Sequence, residues 1–231
     1  MAEIRQTMIE PNRKGDVWVV AEQNDGQLHD VSLELLSKGR QLADRLGVRL
    51  TAVLLGAKVQ PLAERLIRHG ADRVLAGEDT RLAHYQTNPF AKVVSRLIEE
   101  NRPQIVIFGA TPVGRDLAPR VASTIRAGLT ADCTDLDIGE HTQLAPGEFT
   151  GGQRYENLLY QIRPAFGGNI IATIVNPERW PQMATVREGV MRMPEADAAR
   201  RGEIVRFTPA LADGDFVLKI LEHSRPPARS T

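Results

Sequence analysis

Apolar positions in the first half of the chain alternate between two periods. Asp16 to Ala21 (DVWVVA) is a short apolar run suited to a strand buried on both faces. Val31 to Leu46 then carries Leu35, Leu42, Ala43 and Leu46 on one stripe at helical spacing, with Asp30 as N-cap and Gly47 just past the end. The unit repeats. Arg49 to Leu55 reads as a strand, and Val59 to His69 offers Leu62, Leu66 and Ile67 as an apolar helical face closed by Gly70. Arg73 to Leu75 makes a third, shorter strand. Asn88 and Pro89 form a cap and first-turn pair for a helix to Asn101, with Val93, Val94, Leu97 and Ile98 inward. Gln104 to Phe108 is a buried central strand. Gly109 to Gly114 (GATPVG) leads into a helix through Ile125; Pro119 belongs near its first turns or else kinks it, and Gly128 ends it.

From Thr130 onward the stripes give way to short runs rich in β-branched residues, namely ADCTDLDI, GGQRYENLLYQI and NIIATIV. Glycine and proline punctuate them, which predicts further strands and a hairpin completing the sheet. Met191 to Arg201 is charged and alanine-rich, a loop or short helix, and Ile204 to Phe207 and Phe216 to Leu221 are two more strand-like runs. The fold class is α/β, a three-layer α/β/α arrangement with a mainly parallel sheet and added antiparallel strands. Residues 1–190 are expected to form this domain, 191–223 its closing strands and 224–231 a tail.

At 231 residues and 42% hydrophobic content, the chain can bury a full core. Lysine plus arginine equals aspartate plus glutamate at 29 each, so no global field draws in nucleic acid or an anionic membrane. The single cysteine, Cys133, cannot form an intrachain disulfide and reads as a small hydrophobe in a strand. No apolar stretch is long enough to cross a bilayer. The expectation is a soluble, cytoplasmic protein with no nucleic-acid partner and no membrane insertion.

Several side chains invite chemistry. A glycine-bearing loop between strand and helix is where an open parallel sheet binds phosphate, and Gly109 to Asp116 occupies that place. Yet it lacks the lysine and hydroxyl of a Walker loop and the GxGxxG spacing. A helix start with Arg115 and Asp116 in surface pairs explains it as well. His29, His69, His84, His141 and His223 are scattered without metal-binding spacing, so no metal site is predicted. Ser95 and Ser123 lie on helical patterns rather than in a GxSxG turn. Asp135 and Asp137 share a strand face beyond Asp132, a solvated edge or a set of arginine partners. In IRPAFGGN, Ile162 to Asn169, residue types alone allow a carboxylate partner for Arg163 and a turn at Gly167 and Gly168.

Four segments together carry a resemblance: WVVAEQNDGQLHDVSLELLSKGRQLADRLG, GRDLAPRVASTIRAGLTADCTDL from Gly114 to Leu136, IRPAFGGN, and RWPQMATVREGV from Arg179 to Val190. Along nearly its whole length the chain resembles the N-terminal domain of an electron transfer flavoprotein α-subunit, in particular the electron-bifurcating branch. The last segment is similar to the family's RPQMATVRPGV signature, with Trp180 inserted before proline and Glu188 where proline is common. It reads as packing and subunit contact, or equally as an internal strand.

The resemblance implies an adenine-nucleotide-binding (Rossmann-like) fold turned assembly scaffold, and an electron-carrying subunit rather than a stand-alone enzyme. It implies a β-subunit partner that holds the nucleotide and a flavin, and beyond it an acyl-CoA dehydrogenase or other flavoprotein dehydrogenase. It also implies FAD as cofactor, held mainly by that partner and by a C-terminal domain. Nothing from Met1 to Thr231 resembles that domain's FAD motifs, so the chain alone is expected to bind flavin weakly or not at all. The domain is then either cut away or a separate polypeptide, with 224–231 a linker toward it. Arg163, Phe166 and Gly167 are the expected cofactor-binding residues: a guanidinium near flavin N5 or O4 stabilises the anionic reduced form. No catalytic residue is implied. The competing reading is a universal-stress-like adenine-nucleotide-binding protein or small hydrolase using Gly109 to Asp116 as a phosphate loop.

Overall fold

The computed structural model describes residues 9–144, 147 and 150–221. In chain order the strands and helices are β1 (Val17–Ala21), β2 (Gln23–Asn24), β3 (Gln27–Leu28), α1 (Asp30–Leu46), β4 (Leu50–Gly56), α2 (Gln60–Arg68), β5 (Arg73–Glu78), α3 (Thr87–Asn101), β6 (Ile105–Gly109) and α4 (Pro112–Ile125). Then come β7 (Leu129–Cys133), β8 (Asp135–Gln143), β9 (Gln153–Ala165), β10 (Ile170–Ile174), β11 (Gln182–Val186) and β12 (Glu203–Phe207).

Seven strands form one sheet in the order β12-β5-β4-β1-β6-β11-β7, and its neighbouring pairs are parallel. Parallel neighbours require crossovers, and the helices that supply them cover both faces. The pleat of β1 shows the division: Val17, Val19 and Ala21 enter one core with α1 and α2, while Trp18 and Val20 enter the other with α3 and α4. A three-layer α/β/α domain results.

Local chemistry explains the element ends. α1 is capped by His29, whose ring Nδ1 accepts from the Val31 amide, not by Asp30, which lies in the first turn. Gly47 ends it in the left-handed region at φ 66°. A Cβ on Gly39 would sit 2.7 Å from Leu50 Cδ1 and 3.2 Å from Val19 Cγ2, so the missing side chain lets α1 lie close on the sheet.

α3 begins at Thr87, after Gln86, so Asn88 is not its cap. α4 is capped by Thr111, and Pro119 stands mid-helix, beyond the first turns, where it removes the donor to the Arg115 carbonyl. It ends at Arg126, in the left-handed region at φ 58°, before Gly128 is reached.

The second half departs from the sequence expectation in its sheet pairing. β8, β9 and β10 do not complete the main sheet; they form a separate antiparallel sheet in the order β10-β9-β8. Leu136, Ile138 and Leu159 pack this sheet into the core on the α1 side. Lys38 and Arg45 of α1 reach Asp135 and Asp137 at 2.8 and 2.5 Å. The RWPQMATVR segment becomes β11, with all five strand residues buried between β6 and β7. Its core is therefore an internal strand, with Arg179 and Arg187 exposed at its two ends.

β12 joins the edge beside β5, but residues 216–221 form no strand. Residues 191–201 contain no helix and are held by Asp72. Its carboxylate takes Arg40 at 2.5 Å, Arg200 at 2.7 Å and the Leu50 amide at 2.8 Å. No helix among the described residues is long and apolar enough to cross a membrane. The tail at 224–231 lies outside the described residues.

Candidate functional site

Arg163, Phe166 and Gly167 come together at one end of the antiparallel sheet. Arg163 lies on β9 opposite Ala172 of β10, and Phe166–Gly168 is the turn joining the two strands. Three consecutive residues in this turn have positive φ: Phe166 at 49°, Gly167 at 69° and Gly168 at 93°. Glycine suits two of these positions, whereas a phenylalanine there is strained and turns its ring outward. Phe166 is 82% exposed, and Ile171 and Ile170 beside it are 73% and 54% exposed. Nothing lies within 4 Å of a Cβ built on Gly167 or Gly168, so within this chain the glycines serve the turn.

Arg163 is half-buried, and no carboxylate partner accompanies it among the described residues. Its charge is felt at Cys133 of β7, where burial pushes the thiol up to about 11 and the guanidinium opposes that rise. Cys133 is buried and donates weakly to the Thr130 carbonyl at 3.8 Å, which makes it an inert thiol. Two residues before Arg163, on the same face of β9, Gln161 is fully buried with neither amide atom partnered among the described residues. Sequence reasoning missed Gln161, since only the pairing of β9 on both sides buries it.

The loop from Gly109 to Asp116 is a different place, at the carboxyl ends of β1 and β6. The sheet order reverses between these strands, and a crevice opens there as open α/β sheets require. Its chemistry is wrong for phosphate. Pro112 has no amide hydrogen, the Gly114 amide donates to Thr111 Oγ1 at 2.9 Å, and the Arg115 amide donates to the Thr111 carbonyl at 2.9 Å. The helix start therefore has few free donors.

Glu22, the residue after β1, takes up the remaining anion position. Its Oε2 accepts from the Thr111 hydroxyl at 2.7 Å, and its Oε1 is buried without a partner among the described residues. Burial drives this carboxyl above its ordinary value, with the Thr111 hydrogen bond opposing. A Cβ on Gly114 would stand 1.9 Å from the Gly109 carbonyl oxygen, so this glycine permits close packing of helix on strand.

Arg115 and Asp116 are consumed in pairs. Arg115 forks onto Asp132 at 2.7 and 3.0 Å and donates to the Ala110 carbonyl at 2.7 Å. Asp116 accepts from the hydroxyls of Thr87 and Tyr85 at 2.5 and 2.6 Å. The phosphate-loop reading is overturned by this geometry.

The remaining candidates disperse. His29 is a cap, His69 Nδ1 lies 2.7 Å from the Arg65 carbonyl, His84 lines the crevice, and His141 lies on β8 opposite Tyr155. His223 lies outside the described residues. Among the described residues no group of three or more His, Cys, Asp or Glu could hold a metal ion. Ser95 is buried on α3 with its hydroxyl unpartnered among the described residues, and Ser123 is exposed on α4.

Comparison with known proteins identifies the family. Residues 17–212 match the electron transfer flavoprotein domain family. The chain is 44% identical over 206 residues to an electron transfer flavoprotein subunit alpha of Thermoanaerobacterium thermosaccharolyticum, a match spanning 89% of the chain and 58% of the relative. It is 50% identical over 183 residues to the subunit of the same name from Clostridium acetobutylicum, covering 79% of the chain and 50% of the relative. It is also 38% identical over 195 residues to the lactate dehydrogenase (NAD(+),ferredoxin) subunit LctC of Acetobacterium woodii, covering 84% of the chain and 43% of the relative. The chain thus spans about half the length of the curated relatives it matches.

Proposed function

The chain belongs to the electron transfer flavoprotein family, and on that premise we propose that it pairs with a β-subunit and completes the walls of that subunit's flavin site. The observation that carries this reading is Arg163, a half-buried cation without a carboxylate partner among the described residues, behind an exposed apolar turn. Phe166 and Ile171 form the rim a partner would cover, and Gly167 keeps the turn tight enough for close approach.

Arg163 has donors to spare. FAD supplies the redox chemistry when bound; this chain supplies charge and shape. A guanidinium stays protonated at working pH, so within reach of flavin N5 or O4 it holds negative charge on the reduced ring and raises its potential.

The relative whose name joins NAD(+) and ferredoxin supports an extension. On this reading the complex oxidises NADH at the β-subunit flavin and divides electrons between a ferredoxin-like carrier and a second path of higher potential. That path would run through FAD held by the part of the relatives this chain does not span, toward an acyl-CoA or other flavoprotein dehydrogenase. The complex would work in the cytoplasm.

Coexpression of Arg163→Ala with the β-subunit tests the role. The bound flavin's potential should fall by tens of millivolts, where about 1.4 kcal/mol corresponds to roughly 59 mV for one electron. Arg163→Lys should fall between. An unchanged potential with unchanged NADH oxidation removes Arg163 from the mechanism.

A further inference from the structure

The family reading leaves the crevice at the carboxyl ends of β1 and β6 without a use. It encloses about 500 Å³, within the range of small-molecule sites. Its walls come from several elements: Leu55 at the end of β4, Phe90 on α3, Val113 and Leu117 on α4, and Ile220 from the segment after β12. Tyr85 adds a second ring, packed edge-on against Phe90 with centroids 5.1 Å apart. These surfaces suit a flat ring. At the rim, Asn24 offers an amide and His29 its Nε2 edge, groups of the kind that pair with base edges and hydroxyls, while the Gln23 amide is held by the Leu55 carbonyl and the Gly26 amide.

We propose that this crevice binds an uncharged nucleoside or free nucleobase and selects against the corresponding phosphate. Three observations set the selectivity. Among the described residues, no lysine or arginine lines the crevice. In the first turn of α4 the Gly114 and Arg115 amides are spent on Thr111 and Pro112 has none, which leaves only the Val113 amide, too few donors to cradle a phosphate. The carboxylate of Glu22 stands at the position a phosphate would need. A phosphate entering here would meet a negative group and few donors, whereas a neutral ring loses nothing by either.

Calorimetry on the full chain with adenosine, adenine and AMP tests the proposal, and it requires neither a β-subunit nor flavin. Adenosine or adenine should bind, and at least about tenfold more tightly than AMP. Val113→Trp and Ala83→Trp, which fill the crevice from two sides, should abolish binding while circular dichroism shows the fold retained. Glu22→Gln should narrow the ratio between adenosine and AMP.

No binding of adenosine or adenine at millimolar concentration overturns the proposal. So does AMP binding as tightly as adenosine, or binding that survives both tryptophan variants. Arg163→Ala should leave adenosine affinity unchanged, so failure here and failure of the flavin-site role are read separately.

Discussion

Glu22 and Asp116 lie at the two sides of the α4 start and respond to pH in opposite directions. Burial raises the Glu22 carboxyl above its ordinary 4.5, so folding disfavours its ionised form relative to the unfolded chain. Its contribution is full below the unfolded value and is lost as pH rises through the raised folded value. Glu22→Gln removes that loss, so its melting temperature relative to the parent should climb from acid to neutral pH; a flat difference would refute the burial cost. Asp116 is held below its ordinary 3.8 by the hydroxyls of Thr87 and Tyr85. Its contribution is present above the unfolded value and lost as pH falls through the folded one. Asp116→Asn should therefore destabilise at neutral pH and converge with the parent in acid, as thermal melts would show. Gly114→Ala should be worse than either, because its Cβ meets backbone 1.9 Å away, and overpacking in a core already costs about 1–3 kcal/mol.

Among the elements, α2 offers a clean test of packing. Leu66 is fully buried beneath it, and Leu66→Ala should cost about 2–5 kcal/mol in denaturant unfolding without moving the flavin potential of the complex. The stripe that buries Leu66 was legible from spacing alone, as were α1, α3 and the fully buried strands β1, β4 and β6. Element ends were less legible. His29 replaces Asp30 as a cap, and Arg126 takes the left-handed position expected near Gly128, because tertiary packing chooses among acceptable local chemistries. Strand pairing was least legible. The runs in β8, β9 and β10 announce strands, but nothing in their period says whether they extend the main sheet or leave it. The same limit applies to the sites. Arg163 could be singled out through resemblance, whereas no sequence pattern marked Glu22, whose place beside Thr111 comes from the crevice.

For the whole molecule, the exposed turn between β9 and β10 is where assembly should be decided. Phe166→Asp and Ile171→Asp change exposed side chains, so stability should move by no more than about 0.5 kcal/mol. If they anchor the β-subunit, each should weaken the complex by about 2 kcal/mol or more, measurable by titration calorimetry. Unaltered affinity in both would place the partner elsewhere. β7 and β11 are adjacent parallel strands, and the entire antiparallel sheet is the connection between them. A detour that leaves and re-enters at neighbouring strands can be lifted out without disturbing the order of the others. Residues 134–181 are thus a natural cassette: exchanged between relatives with the core contacts of Leu136, Ile138 and Leu159 kept, they should carry partner preference with them.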